Sequence, residues 1–232
     1  MPGEKANPKA PANVTAGKKP AKAAGVQKKA ASAAAPKTQP LEMVQPAAAA
    51  AKPKPKIATV SMAGCFGCHM SLLDIDERIL KLVELVEFNK SPIDDIKVFT
   101  SRCAIGLLEG GCCTDENVHN LQEFRKHCDI LVSVGDCATM GGVPAMRNMI
   151  TLKECLDEAY QNGPTVYNPK NLMPNDPEIP LILDRVYPCH EVVKIDYLLP
   201  GCPPSADTLY AAITALLFGE PLKLPYELIK YD

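Results

Sequence analysis

The sequence predicts an α/β domain, a parallel sheet with helices on both faces, preceded by a disordered arm. Three observations predict it. Short β-branched runs alternate along the chain with segments whose apolar residues recur at helical spacing. Several of those runs break at Gly beside Cys, as a chain does on leaving a buried strand for a functional loop. The first 56 residues, by contrast, offer almost nothing that a core could bury.

Residues 1–56 are mostly Ala, Lys and Pro, with eleven lysines, two glutamates and no arginine, a net charge of +9. Nine prolines interrupt any helix that Ala would start, so the arm reads as a solvated tether ending at Lys52-Pro53-Lys54-Pro55-Lys56. Residues 57–232 carry −11, so the near-neutral whole hides a basic arm on an acidic body. All ten cysteines lie in that body. No secretory signal and no membrane span are expected, which favours a reduced, cytoplasmic protein that keeps its thiols for metal or catalysis. Neither a Walker loop nor G-x-G-x-x-G occurs, so the chain itself is not expected to bind ATP or NAD, and no nucleic-acid partner is expected.

The body opens on Ile57-Ala58-Thr59-Val60-Ser61-Met62, which reads as a buried strand. It breaks at Gly64 into Cys65-Phe66-Gly67-Cys68. Residues 70–88 then show helical spacing at Leu72, Leu73, Ile75, Ile79, Leu80, Val83 and Val86. Strands are expected at 96–100 and 103–108, the second ending at Glu109-Gly110-Gly111. A helix over 114–127 opens with Thr114-Asp115-Glu116, good cap and first-turn residues. The strand 129–134 ends in Gly135-Asp136-Cys137. A short helix near 151–160, a Pro- and Asn-rich loop over 163–180, a strand over 194–199 ending in Gly201-Cys202-Pro203-Pro204, and a helix over 205–218 complete the chain.

In a parallel sheet the carboxyl ends of the strands share one edge, so these loops converge. Four thiols reaching one point from three loops suit a four-cysteine iron–sulfur cube. A structural zinc site also uses four thiolates, and Cys-x-x-Cys alone also serves as a redox dithiol, so the residues by themselves leave three chemistries open. A helix starting behind Cys65 and Cys68 is expected to lower their pKa. Cys103, Cys128 and Cys155 read as small core residues, while Cys112, Cys113 and Cys189 fall on loops. His69 follows Cys68 and lines the site in this reading; His119 and His127 read as helix-surface residues.

Taken in order, Gly64-Cys65-Phe66-Gly67-Cys68, Glu109-Gly110, Gly135-Asp136-Cys137-Ala138 with Gly141-Gly142, and Gly201-Cys202-Pro203-Pro204 resemble the small subunit of nickel–iron hydrogenases. The surrounding residues His69 to Arg78, Glu116-Asn117-Val118-His119 and Leu224-Pro225-Tyr226-Glu227-Leu228 are similar to the cytoplasmic NAD-reducing (bidirectional) type. The resemblance covers about 57–232 and implies a flavodoxin-like fold. It also implies one 4Fe-4S cluster on Cys65, Cys68, Cys137 and Cys202, with Glu109 as a carboxylate near the large subunit and on a candidate proton path. The implied partners are a large subunit carrying the nickel–iron centre and diaphorase subunits with iron–sulfur and flavin groups. It leaves an FMN open. No twin-arginine leader is seen, and with thirty residues after Cys202 the extra cluster domain of membrane and periplasmic relatives is expected to be missing. The quinone-reducing subunit of respiratory complex I shares several of these elements but places adjacent cysteines after its first strand. Here the adjacent pair, Cys112-Cys113, follows a later one.

Overall fold

A computed structural model describes residues 53–229. Residues 1–52 and 230–232 lie outside it, and with them nearly all of the arm expected over 1–56.

Five parallel strands make the central sheet, the first three being β1 (Lys56–Ser61), β2 (Glu87–Phe88) and β3 (Cys103–Glu109). Between β1 and β2 lie helices α1 (Gly67–Leu73) and α2 (Arg78–Leu85). After β3 come β4 (Cys112–Thr114), α3 (Asp115–His127), β5 (Cys128–Val134) and α4 (Gly135–Met140). The chain continues through α5 (Leu152–Asp157), β6 (Ile182–Tyr187), α6 (Cys189–Val192), β7 (Tyr197–Leu199), α7 (Ala206–Leu217) and α8 (Tyr226–Ile229). The sheet order is β2-β1-β3-β5-β7, and β4 pairs antiparallel with β6 in a separate two-stranded sheet.

Both faces of the sheet are covered, as parallel sheets require. One core joins Ile57, Leu82, Ile105, Val132 and Leu209; the other joins Ala58, Leu108, Leu121, Phe124 and Leu131. Neighbouring residues of β1 thus serve opposite faces, the two-residue period of a strand. The register sets Ser61 beside Glu109, Glu109 beside Val134, and Val134 beside Leu199. One level row of strand ends results, and every loop that carries a candidate ligand leaves from it.

The helix expected over 70–88 is broken. Asp76 turns into the left-handed region at φ 54, and the Arg78 and Ile79 N–H groups bond back to Ile75 and Asp76 carbonyls. Asp tolerates that conformation, and the turn lets Ile75 stay buried. The strand expected over 96–100 does not form either; β2 supplies that position in the sheet. Asn89 replaces the missing ladder: its side chain donates to Thr100 Oγ1 (2.7 Å), and its Oδ1 accepts from the Thr100 N–H (3.2 Å). Phe99 is held there by edge contact with Phe124 and by stacking on His127. Helix 151–160 ends at Asp157 and widens into a π turn over Glu158–Asn162. β6, unforeseen from the sequence, immediately follows the Pro- and Asn-rich loop.

Candidate functional site

The row of strand ends builds the site. From β1 the chain reaches Cys65, then Phe66 at φ 67, then Cys68 in the first turn of α1. From β5 it enters Gly135 (φ +82), Asp136 and Cys137; from β7, Gly201 and Cys202, whose bond to Pro203 is cis. Reciprocal bonds tie the last two loops: Asp136 N–H donates to the Gly201 carbonyl, and Gly201 N–H to Asp136 Oδ1, both at 2.9 Å. Ser71 Oγ donates to the Pro204 carbonyl at 2.5 Å, joining α1 to the third loop. These ties connect segments up to 133 residues apart.

Glycines set how closely the backbone approaches the thiols. A Cβ on Gly135 would fall 2.4 Å from Cys68 Sγ, and one on Gly142 would fall 3.1 Å from Cys137 Sγ. Cys65 and Cys202 are exposed, Cys68 and Cys137 half-buried. Among the described residues no three His, Cys, Asp or Glu side chains are arranged to hold a single metal ion. The thiols are instead spread over three loops around one patch.

Electrostatics couples the four. Burial pushes the Cys68 thiol up to about 12, reinforced by Glu109 and then by Cys137, Cys65 and Cys202. Cys137 is raised by burial, partly offset by the Val143 N–H, and further raised by Cys202 and Cys65. The expected lowering of Cys68 by the helix end is therefore overturned: burial and surrounding negative charge outweigh one short helix. Four mutually repelling thiolates suit a cationic group, since a coordinating cation deprotonates its thiols outright. The donor set and its glycine cradle thus fit an iron–sulfur group.

Glu109 is buried, 3% exposed, at the end of β3. Its Oε1 accepts the Cys68 N–H and its Oε2 the His69 N–H, each at 3.2 Å. His69 Nδ1 also meets Oε2, and His69 Nε2 lies 3.0 Å from Thr59 Oγ1. The carboxylate therefore faces inward, onto the Cys68 turn. His69 lines the site as expected, whereas the roles of Thr59 and Ser71 carried no signal in the sequence.

The other cysteines divide differently from expectation. Cys103 and Cys128 are fully buried register partners on β3 and β5. Cys155 is only half-buried on α5, not core. Cys112, in β4, and Cys189, at the start of α6, are fully buried in the second core rather than on open loops. The adjacent pair Cys112-Cys113 thus belongs to β4 and not to the loop after β1.

Comparison with known proteins agrees with this geometry. Residues 65–216 match the sequence model of the family described as NADH ubiquinone oxidoreductase, 20 kDa subunit. The chain is 50% identical over 195 residues to the delta subunit of the NAD-reducing hydrogenase HoxS of Cupriavidus necator, covering 83% of this chain and 93% of that protein. It is 32% identical over 180 residues to the iron–sulfur subunit of the F420-non-reducing hydrogenase of Archaeoglobus profundus, spanning 71% of this chain but only 56% of that longer protein. A crystal structure of an NAD+-reducing nickel–iron hydrogenase in the H2-reduced state superposes with a TM-score of 0.74 at 47% identity, covering 77% of this chain and 99% of that one.

The chain belongs to the NADH ubiquinone oxidoreductase 20 kDa subunit family, and the relatives named above are hydrogenase subunits, one of them an iron–sulfur subunit. Within that class it is the small subunit of an NAD-reducing nickel–iron hydrogenase, an oxidoreductase.

Proposed function

We propose that Cys65, Cys68, Cys137 and Cys202 together hold one 4Fe-4S cluster, through which this subunit relays electrons between a nickel–iron centre in a large subunit and an NAD-reducing diaphorase module. The observation that carries this reading is the convergence of the four thiols, from three loops, on one row of strand ends. A bound cluster supplies one-electron transfer at a potential tuned by its surroundings. The protein's share is to orient the thiols, limit water, and present backbone N–H groups such as that of Val143 to cysteine sulfur.

The reading places the large subunit against an apolar strip beside Cys137. Met140, Val143, Met146, Met149 and Ile150 are all exposed there, Met149 at 91%. Permanent interfaces are apolar in this way. No helix among the described residues is long and apolar enough to cross a membrane, and a cytoplasmic location fits a protein that couples to NAD. The arm expected over 1–56 gives up Lys56 to β1, and the segment before β1 is assigned as a tether outside the cluster domain.

Each of the four cysteines is replaced by Ser in the complete enzyme, purified anaerobically, and iron, sulfide and the EPR spectrum are measured. Loss or conversion of the cluster in all four supports the ligand set; a parent spectrum in Cys137→Ser or Cys202→Ser refutes it. An FMN carried by this subunit would be released on denaturing the chain freed of its partners, away from the flavin of the diaphorase, and counted by its fluorescence. The chain freed of its partners is expected to show no hydrogen-dependent dye reduction.

A further inference from the structure

We propose that Glu109 is a positioning residue for Cys68: its carboxylate caps the first turn of α1 from β3, holding that thiol against Gly135 and within reach of the other three. The inference rests on Cys68 being a ligand, and it says how a short, poorly capped helix delivers that ligand.

A helix start leaves backbone N–H groups without partners, and a Ser, Thr, Asp or Asn at the N-cap ordinarily satisfies one of them. Here the N-cap is Phe66, in the left-handed region, with no side-chain cap bond. The helix behind it has seven residues, too few to hold itself. Glu109, forty-one residues from Cys68, supplies what is missing. Its two oxygens take the Cys68 and His69 N–H groups separately, both at 3.2 Å. Because β3 is the middle strand of the five, paired on both sides, the cap is anchored to the centre of the sheet.

The carboxylate is itself fixed. His69 Nδ1 holds Oε2, His69 Nε2 reaches Thr59 Oγ1, and Thr59 Oγ1 lies 2.7 Å from Ser91 Oγ. Phe66 stacks on the His69 ring at 4.6 Å and 8°. All four polar members of this chain of contacts are at most 4% exposed. A buried carboxylate is tolerated only when its lone pairs are used, and here they are spent on the turn that carries Cys68. On the other side of the thiol, Gly135 leaves room for the sulfur and no more. Cys68 is thus set between a carboxylate-held backbone and a glycine floor.

Glu109→Gln keeps one acceptor oxygen and turns the other into a donor, so one of the two N–H groups loses its partner. The test uses the complete hydrogenase, purified anaerobically, with Glu109→Gln beside Phe124→Ala, which loosens the opposite core without touching the site. Readouts are the EPR spectrum of the reduced cluster, its midpoint potential, and the rate at which an iron chelator removes iron. Glu109→Gln is expected to alter the spectrum, shift the potential and speed iron release by about tenfold, the effect of one lost hydrogen bond to a charged group. Phe124→Ala is expected to keep the parent spectrum while lowering the melting temperature. If Glu109→Gln does not assemble, His69→Gln takes its place; it leaves both carboxylate–N–H bonds but frees the carboxylate to move, and the same changes should appear, smaller. A parent spectrum and release rate in an assembled Glu109→Gln or His69→Gln enzyme, or the same spectral change in Phe124→Ala, overturns the inference alone. A parent cluster in Cys68→Ser overturns the ligand reading, and this inference with it.

Discussion

Gly135 and Cys68, sixty-seven residues apart, are packed so closely that no other residue fits at 135. The missing Cβ would sit 2.4 Å from the thiol sulfur, and the backbone there is left-handed at φ +82. Two demands, space and conformation, meet at one glycine.

Gly135→Ala should therefore cost about 1–2 kcal/mol from the backbone alone, with further loss from the displaced sulfur. The complex should carry less iron and sulfide than the parent at equal protein concentration. Full metal content in a folded variant would mean that the Gly135–Cys68 contact does not constrain the site.

The buried cysteines away from the site should behave as packing residues. Cys103→Ser and Cys128→Ser each set a hydroxyl in an apolar core and should destabilise by about 1–3 kcal/mol. Cluster content in the folded protein should stay unchanged. Burial, with negative charge from Cys113 added, pushes the Cys112 thiol up to about 11, and burial above all raises Cys189 to about 12, so neither should react with alkylating agents in the native complex at neutral pH. Rapid native-state alkylation of either would contradict their placement.

Acid should weaken the β5–β7 side of the sheet through Asp196. Its partial burial works to raise the carboxyl's pKa, but Arg125 and the Leu131 N–H overcome this and hold it below the usual range. A carboxylate depressed in the folded state contributes stability fully above its unfolded pKa of about 3.9. That contribution is lost as pH falls through the lower, folded value. Asp196→Asn should cost about 1–3 kcal/mol at pH 7. In urea titrations its deficit relative to the parent should shrink as pH drops below about 4; a pH-independent deficit would rule out the ionic contribution.

Removing residues 1–52 should leave cluster content and assembly intact. β1 begins at Lys56, whose ammonium pairs with Glu87 at 3.1 Å, so the cut falls outside the sheet. Reduced iron or loss of the large subunit would give the arm a role that its composition does not suggest.

What the sequence determined by itself is whatever depends on near neighbours along the chain. The short apolar, β-branched run of β1, helical spacing in α3 and α7, and the Thr114 cap each need only a few adjacent residues. The Gly and Cys at strand ends were legible for the same reason, and in a parallel sheet their convergence follows. Tertiary structure decided which distant groups meet. Residues 96–100 had the composition of a strand, yet Asn89 and Phe124 offered better partners than the sheet edge did. β6 became a strand only because β4 lay beside it. The capping of α1 by Glu109, and its tie to Pro204 through Ser71, span 41 and 133 residues. Local periodicity holds no trace of such pairs, because a buried polar group is satisfied by whatever the packed chain brings within about 3 Å of it.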